Sequence, residues 1–132
     1  MKITTLNIIT TAVLILTCIA CKKETTTPGT TEEISITITS PKENDSYKPG
    51  DTVHIHATAQ AQYQLHGYIV RIYYGDSVLF DAEGHTHSNQ LNIDESWVNS
   101  LNMAAELQLE ISTVIDHEGN AKKVKRPLKS QP

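Results

Sequence analysis

The chain has 132 residues, a formal net charge of −4 and only 5% aromatic residues. That length holds one domain, not two. The charge balance lacks the basic field expected of a nucleic-acid binder, so nucleic acid is excluded as a partner. The cysteines, Cys18 and Cys21, both stand near the N-terminus, so no disulfide can staple the body of the fold.

Lys2 supplies a short positive start, and Ile8 to Ala20 is an apolar run of 13 residues. As a helix that run would reach about 20 Å, short of a hydrocarbon core of about 30 Å, which suits a signal peptide. It ends in Cys18-Ile19-Ala20-Cys21, followed by Lys22-Lys23-Glu24. This resembles the lipobox of bacterial lipoproteins, with Cys18 where that pattern usually has Leu. The resemblance implies a signal peptide over 1–20, acyl chains (palmitate among them) on Cys21, and loss of Cys18 with the leader, leaving no free thiol. Each buried methylene is worth about 0.8 kcal/mol, so several acyl chains anchor firmly. Lys22 stands where an aspartate would resemble an inner-membrane retention signal, which points to the outer membrane. The competing readings are cleavage before Cys18 and an uncleaved membrane anchor.

Cys21 and the polar run to Glu33, broken by Pro28-Gly29, read as a lipidated cysteine and flexible tether over 21–33. From Ile34 to Lys129 the pattern is period two, the mark of half-buried strands. Alternation predicts strands over 34–40, 52–60, 65–74, 77–83, 90–94, 106–115 and 121–128, with turn signals between them. Ile34, Ile36 and Ile38 fall on one face of the first. Val53, Ile55, Ala57 and Ala59 share a face of the second, and Leu107, Leu109, Ile111, Thr113 and Ile115 a face of the sixth. A connection over 97–105 has room for one helical turn. Seven short strands without a long apolar run at helical spacing predict an all-β sandwich.

Ile38 to Val53 (I-T-S-P-x-x-x-x-x-Y-x-x-G-D-T-V) and Asp116-His117-Glu118-Gly119-Asn120 carry a resemblance to bacterial immunoglobulin-like and fibronectin-III-like modules. With the lipobox, the whole chain resembles small single-domain bacterial lipoproteins of that type. The resemblance implies a disulfide-free, seven-stranded Ig-like or fibronectin-III-like sandwich.

Strand parity then places histidines. Antiparallel connections alternate between the two ends of a sandwich, and three of them reach the same end. His66 opens the third strand, His85 and His87 lie in the connection between the fourth and fifth, and His117 lies in the last turn. Neutral imidazole suits Zn and Cu(II). His85 and His87, two residues apart in extended chain, project to one side and are expected to share an ion, with His66 and His117 as third and fourth ligands. Asp81, Glu83, Asp116 and Glu118 are candidate oxygen ligands or imidazole acceptors. The alternative is a polar histidine cluster that only stiffens the loops. His54 and His56 read as exposed sheet residues, or as a second, weaker site. Lys122, Lys123, Lys125, Arg126 and Lys129 read as edge-strand protection, or as a patch for anionic glycan or lipid headgroups.

The function expected is a membrane-anchored binding module with a divalent metal at the histidine end. The alternative is an envelope protein- or glycan-interaction module without metal. No nucleophile–base pair, phosphate loop or paired-acid motif stands in the sequence, so no enzymatic activity is expected. Metal-assisted hydrolysis would need Glu83 or Glu118 as its base.

Overall fold

The computed structural model describes residues 31–132. The expected signal peptide, Cys21 and most of the expected tether lie outside the described residues. Thr31–Glu33 form one 3-10 turn. Six strands follow: β1 (Ser35–Ser40), β2 (Ser46–Tyr47), β3 (Thr52–Tyr74), β4 (Ser77–Val98), β5 (Ala105–Val114) and β6 (Ala121–Ser130). The fold is all-β, as expected, and it is sandwich-like. The connection over 99–104 contains no helical turn. No helix among the described residues is long and apolar enough to cross a membrane.

The structure differs from the seven-strand expectation in three places: β2 forms where only turns were expected between the first two strands, and two predicted connections are continuous strand. The predicted second and third strands are one strand, β3, of 23 residues, and the predicted fourth and fifth are one strand, β4, of 22 residues. The two pair antiparallel along their whole length. Their register slips between Gln60 and Leu65, and again between Leu65 and Gly67. Gln60 faces Gln90, Leu65 faces Ser88 and Gly67 faces His85, so β3 carries extra residues first and β4 just after. Bulges of this kind bend a strand pair and let it pass from one sheet into another. Alternation breaks at the bulges, which is why the sequence looks like separate strands.

The corner divides the sheet into two layers. One contains β1, the first half of β3 and the second half of β4. The other contains the first half of β4, the second half of β3, then β5, β6 and β2. Inward residues of both layers meet in one apolar core: Ile38, Val53, Ile55, Ile93 and Trp97 from the first, Val70, Ile72, Leu109, Ile111 and Leu128 from the second. A smaller cluster of Ile34, Ala59, Leu65, Leu91 and Ile115 fills the corner end. Fully burying each large aliphatic side chain is worth about 1.5–3 kcal/mol, so this face-to-face packing is what holds the layers together.

Two polar devices fix the periphery. Asn99 is fully buried. Its Nδ2 donates to Tyr47 O at 3.1 Å and Ser130 Oγ at 3.0 Å, and its Oδ1 accepts from Leu101 N at 3.1 Å. It ties β2 and the end of β6 to the chain leaving β4. Arg126 Nη1 donates to Ile38 O at 3.0 Å and Pro41 O at 2.7 Å, binding β6 to the end of β1.

A third polar contact joins the layers. Tyr68, in the second half of β3, donates its hydroxyl to Glu95 Oε1 at 2.8 Å, in the second half of β4. Burial first, and then the Glu95 carboxylate, push the Tyr68 hydroxyl up to about 12. A raised folded pKa stabilises the fold fully below the ordinary tyrosine value, about 10, and that contribution is lost as pH rises from about 10 toward 12. Urea midpoints between pH 8 and 11.5 should therefore fall less steeply in Tyr68→Phe than in the wild type. Parallel profiles would show that this hydroxyl does not control the alkaline loss.

Candidate functional site: a histidine corner

The strand corner brings the four candidate histidines together. His66 projects from the bulge in β3, His85 and His87 from the facing stretch of β4, and His117 from the turn between β5 and β6. Ring centroids are 4.8 Å apart for His66–His87, 4.5 Å for His66–His117 and 4.9 Å for His85–His87. Each pair meets edge to face. The expected convergence is therefore present, with one difference: His85 and His87 stand in a continuous strand, not in a loop. The rings form a row, His85–His87–His66–His117, with His66 touching two neighbours.

The local sequence explains these placements. Leu65 and Ile115 are buried in the corner cluster, and each anchors the chain beside one of the histidines. Asp116 builds the turn that carries His117. Its Oδ1 accepts from Glu118 N at 3.0 Å and Asn120 N at 3.1 Å, and its Oδ2 accepts from Asn120 Nδ2 at 2.7 Å. The Asn120 side chain, ahead of the backbone N–H groups, holds the Asp116 carboxyl below its ordinary value. Both of its oxygens are engaged, so Asp116 is a turn organiser. Asp81 Oδ1 lies 3.3 Å from Arg71 Nε, so this candidate acid is paired as well.

His66 is the unusual member. Its Nδ1 is buried without a hydrogen-bond partner, alone in this among the described residues. Buried polar atoms are normally satisfied, and an exception asks for a reason. Loss of water lowers the pKa of His66, followed by the like charges His117, His87 and His85 would carry, while Asp116 acts in the opposite sense. The ring is thus held toward its neutral form, the form that donates a lone pair to a metal.

Among the described residues, no group of three or more His, Cys, Asp or Glu side chains is already posed to hold a metal ion. Neighbouring rings can be compared with the spacing of imidazoles that share an ion. With Zn–N bonds of about 2.0–2.1 Å, two imidazoles on one ion have centroids about 4.5–5.2 Å apart for coordination angles from 90° to tetrahedral. The three adjacent pairs lie within or at the edge of that range, while His85 and His117 stand at opposite ends of the row.

A concavity of ≈ 440 Å³ adjoins the corner on the outer face of the second layer. His66, His85 and His117 line it, with Ile69, Arg71 and Lys123. It exists because the row His85–Gly67–Val114–Ala121, read across four strands, has small residues at two positions. Sequence reasoning did not find it, since no single strand shows it.

The remaining candidates have other settings. Lys123 Nζ and Lys125 Nζ lie 3.4 Å and 3.5 Å from the two oxygens of buried Glu110, and Lys129 Nζ lies 3.8 Å from Glu106 Oε1. Three of the five basic residues are thereby drawn into cross-strand pairs with β5, and Arg126 binds the end of β1. Trp97 is in the core, Tyr68 packs against it, and Tyr74 is exposed. His54 and His56 are exposed on the outer face of the first layer, as expected.

The sequence matches no family model and no curated protein. Solved structures are similar to it. An engineered protein aligns with TM-score 0.56 at 11% identity over 78% of this chain, which spans only 21% of that one. Fibronectin(III)-like modules of Clostridium thermocellum CbhA align with TM-score 0.48 at 17% identity, over 74% of this chain and 96% of theirs. The CARDB domain of a Pyrococcus furiosus protein aligns with TM-score 0.42 at 8% identity, over 73% and 94%. At these identities likeness concerns the fold alone.

Proposed function

We propose that the chain is an exported binding module, lipid-anchored through Cys21 in the outer membrane, that holds one divalent transition metal, Zn(II) or Cu(II), at the histidine corner. One observation carries the metal reading. Four histidines from three separate segments pack ring against ring in one row that includes His66, whose buried Nδ1 lacks a partner. His66, His85, His87 and His117 are the ligands. Because three of these rings line the concavity, the ion would turn any remaining coordination position toward a ligand there. Of the acids beside the cluster, Asp116 and Asp81 are already engaged, whereas Glu83, one of the two bases that metal-assisted hydrolysis would need, lines the concavity.

The concavity also favours the second reading, an envelope protein- or glycan-binding module that needs no metal. Isothermal titration of the purified chain with Zn(II) and Cu(II) separates the two. The metal reading expects one tight equivalent that is lost in His85→Ala/His87→Ala. No uptake, or the same uptake in the double variant, ends it, and capture of envelope material unaffected by chelator then favours the second reading. The anchor has its own test: wild-type chain sediments with the membrane fraction, and Cys21→Ser is released. A Cys21→Ser chain that stays with the membrane would overturn it.

A further inference from the structure

The opposite layer carries a second histidine pair that the corner site does not use. His54 and His56 stand two residues apart on β3, both exposed on the outer face of the first layer. Their rings are parallel within 5° and 6.3 Å apart. That spacing follows from strand geometry, where residues i and i+2 lie about 6.6–6.8 Å apart on one face. Two imidazoles on a tetrahedral ion need centroids about 5.2 Å apart and in-plane lone pairs that converge, so the rings must turn out of their parallel stack as well as close by about 1 Å.

Two further observations point to a ligand. Asp94, opposite His56 on β4, places Oδ1 3.1 Å from His56 Nδ1. A carboxylate on one imidazole nitrogen fixes the tautomer and leaves Nε2 as the lone-pair donor, the arrangement that commonly supports a metal-bound histidine. The backbone that presents the pair is also held independently of the regular ladder. β1 slips register between Ile38 and Ser40, and at that slip Thr39 Oγ1 donates to His56 O at 3.0 Å and Ser40 Oγ to His54 O at 2.7 Å. Side-chain hydroxyls thus pin both histidine carbonyls beside the register shift. The same-face register neighbours are Ser96, Asn92, Thr58 and Thr37, none of which is a cation competing with a metal.

We infer that His54 and His56, oriented by Asp94, form a second, labile chelate for a divalent transition ion. Cu(II), Ni(II) and Zn(II) are its ligands, the affinity order following Cu(II) above Ni(II) and Zn(II). Two protein nitrogens leave most of the coordination sphere to water. The site therefore binds more weakly than a four-histidine centre and exchanges its ion readily. It lies on the outer face opposite the corner concavity, so both sites load at once.

Cu(II) titration of the full-length chain carrying Cys18→Ser and Cys21→Ser tests this, followed by isothermal calorimetry and the visible Cu(II)–imidazole absorption. The starting point is His85→Ala/His87→Ala, in which the corner site is disabled. This chain is expected to keep one weak equivalent of Cu(II). Adding His54→Ala/His56→Ala should remove it, and adding Asp94→Asn should weaken it about tenfold, as loss of an imidazole-orienting partner does. All five side chains are exposed, so thermal melts should confirm that every variant folds. A His85→Ala/His87→Ala chain that takes up no Cu(II), or uptake that survives His54→Ala/His56→Ala, would overturn the inference. Equal uptake by wild type and His85→Ala/His87→Ala would instead sink the corner site alone.

Discussion

Zinc at about 100 times its dissociation constant should raise the melting temperature of the wild-type chain by about 10–20 °C, and leave His85→Ala/His87→Ala unmoved. The size follows from linkage. A ligand that binds only the folded state adds about 2.7 kcal/mol at that excess. For a domain of about 100 residues each kcal/mol is worth about 4–8 °C. The corner is a favourable place to observe this, because its ligands come from β3, β4 and the β5–β6 turn. Those segments separate when the chain unfolds, so the unfolded state holds no preformed site and nearly all of the binding energy becomes folding energy.

The choice of His85 and His87 keeps the comparison clean. Both rings are exposed on β4, and neither belongs to the buried clusters that join the layers. Surface truncations of that kind usually change stability by within about 0.5 kcal/mol, so the metal-free melts of variant and wild type should nearly coincide. His66 is less suitable, since its half-buried ring sits above the corner cluster and its loss would mix packing with ligation. A zinc-induced rise of the same size in the double variant would show that the ion binds elsewhere and would remove the basis for the corner site.

The parts of this molecule that were legible in the sequence are those governed by period two. Val53, Ile55, Leu109 and Ile111 are fully buried, and their alternation alone places them in the core. The histidine convergence was also legible, because it depends only on the order of strand directions and survives whether the connections are turns or bends. The continuity of β3 and β4 was not. Bulges interrupt alternation as a turn does, and Gly67 and the polar run Ala61–Gln64 carry no mark that separates a bent strand from two strands. Asn99 was equally hidden: its partners Tyr47 and Ser130 lie far along the chain, and a lone Asn after a strand looks like a turn residue. The outer-face concavity depends on one residue from each of four strands, which registers alone reveal.

Gly67→Ala should be among the most damaging single substitutions in the domain, costing about 2–6 kcal/mol and lowering the melting temperature by at least about 8 °C. Gly67 has φ +148°, a backbone region that side chains avoid at a cost of about 1–3 kcal/mol. An added Cβ would also collide with the carbonyl oxygen of Gly84 across the strand pair, a backbone atom that cannot swing aside. Such overpacking adds about 1–3 kcal/mol. Gly84, which faces Tyr68, is no freer, because the Tyr68 ring covers it. Close approach of β3 and β4 here is thus built from two glycines. Gly75→Ala is the control: φ is +55° but nothing lies within 4 Å of the added Cβ, so only conformational strain of about 1–2 kcal/mol is expected. The Gly67 substitution has a second consequence at the site. Relief of the collision moves β4 away from β3 at the residue after His66, opposite His85. Zinc affinity should then fall although all four histidines remain, while Gly75→Ala binds as the wild type does. A Gly67→Ala chain that melts within a few degrees of wild type would show that the strands part freely at the corner. Their close approach would then not be what sets the histidine spacing.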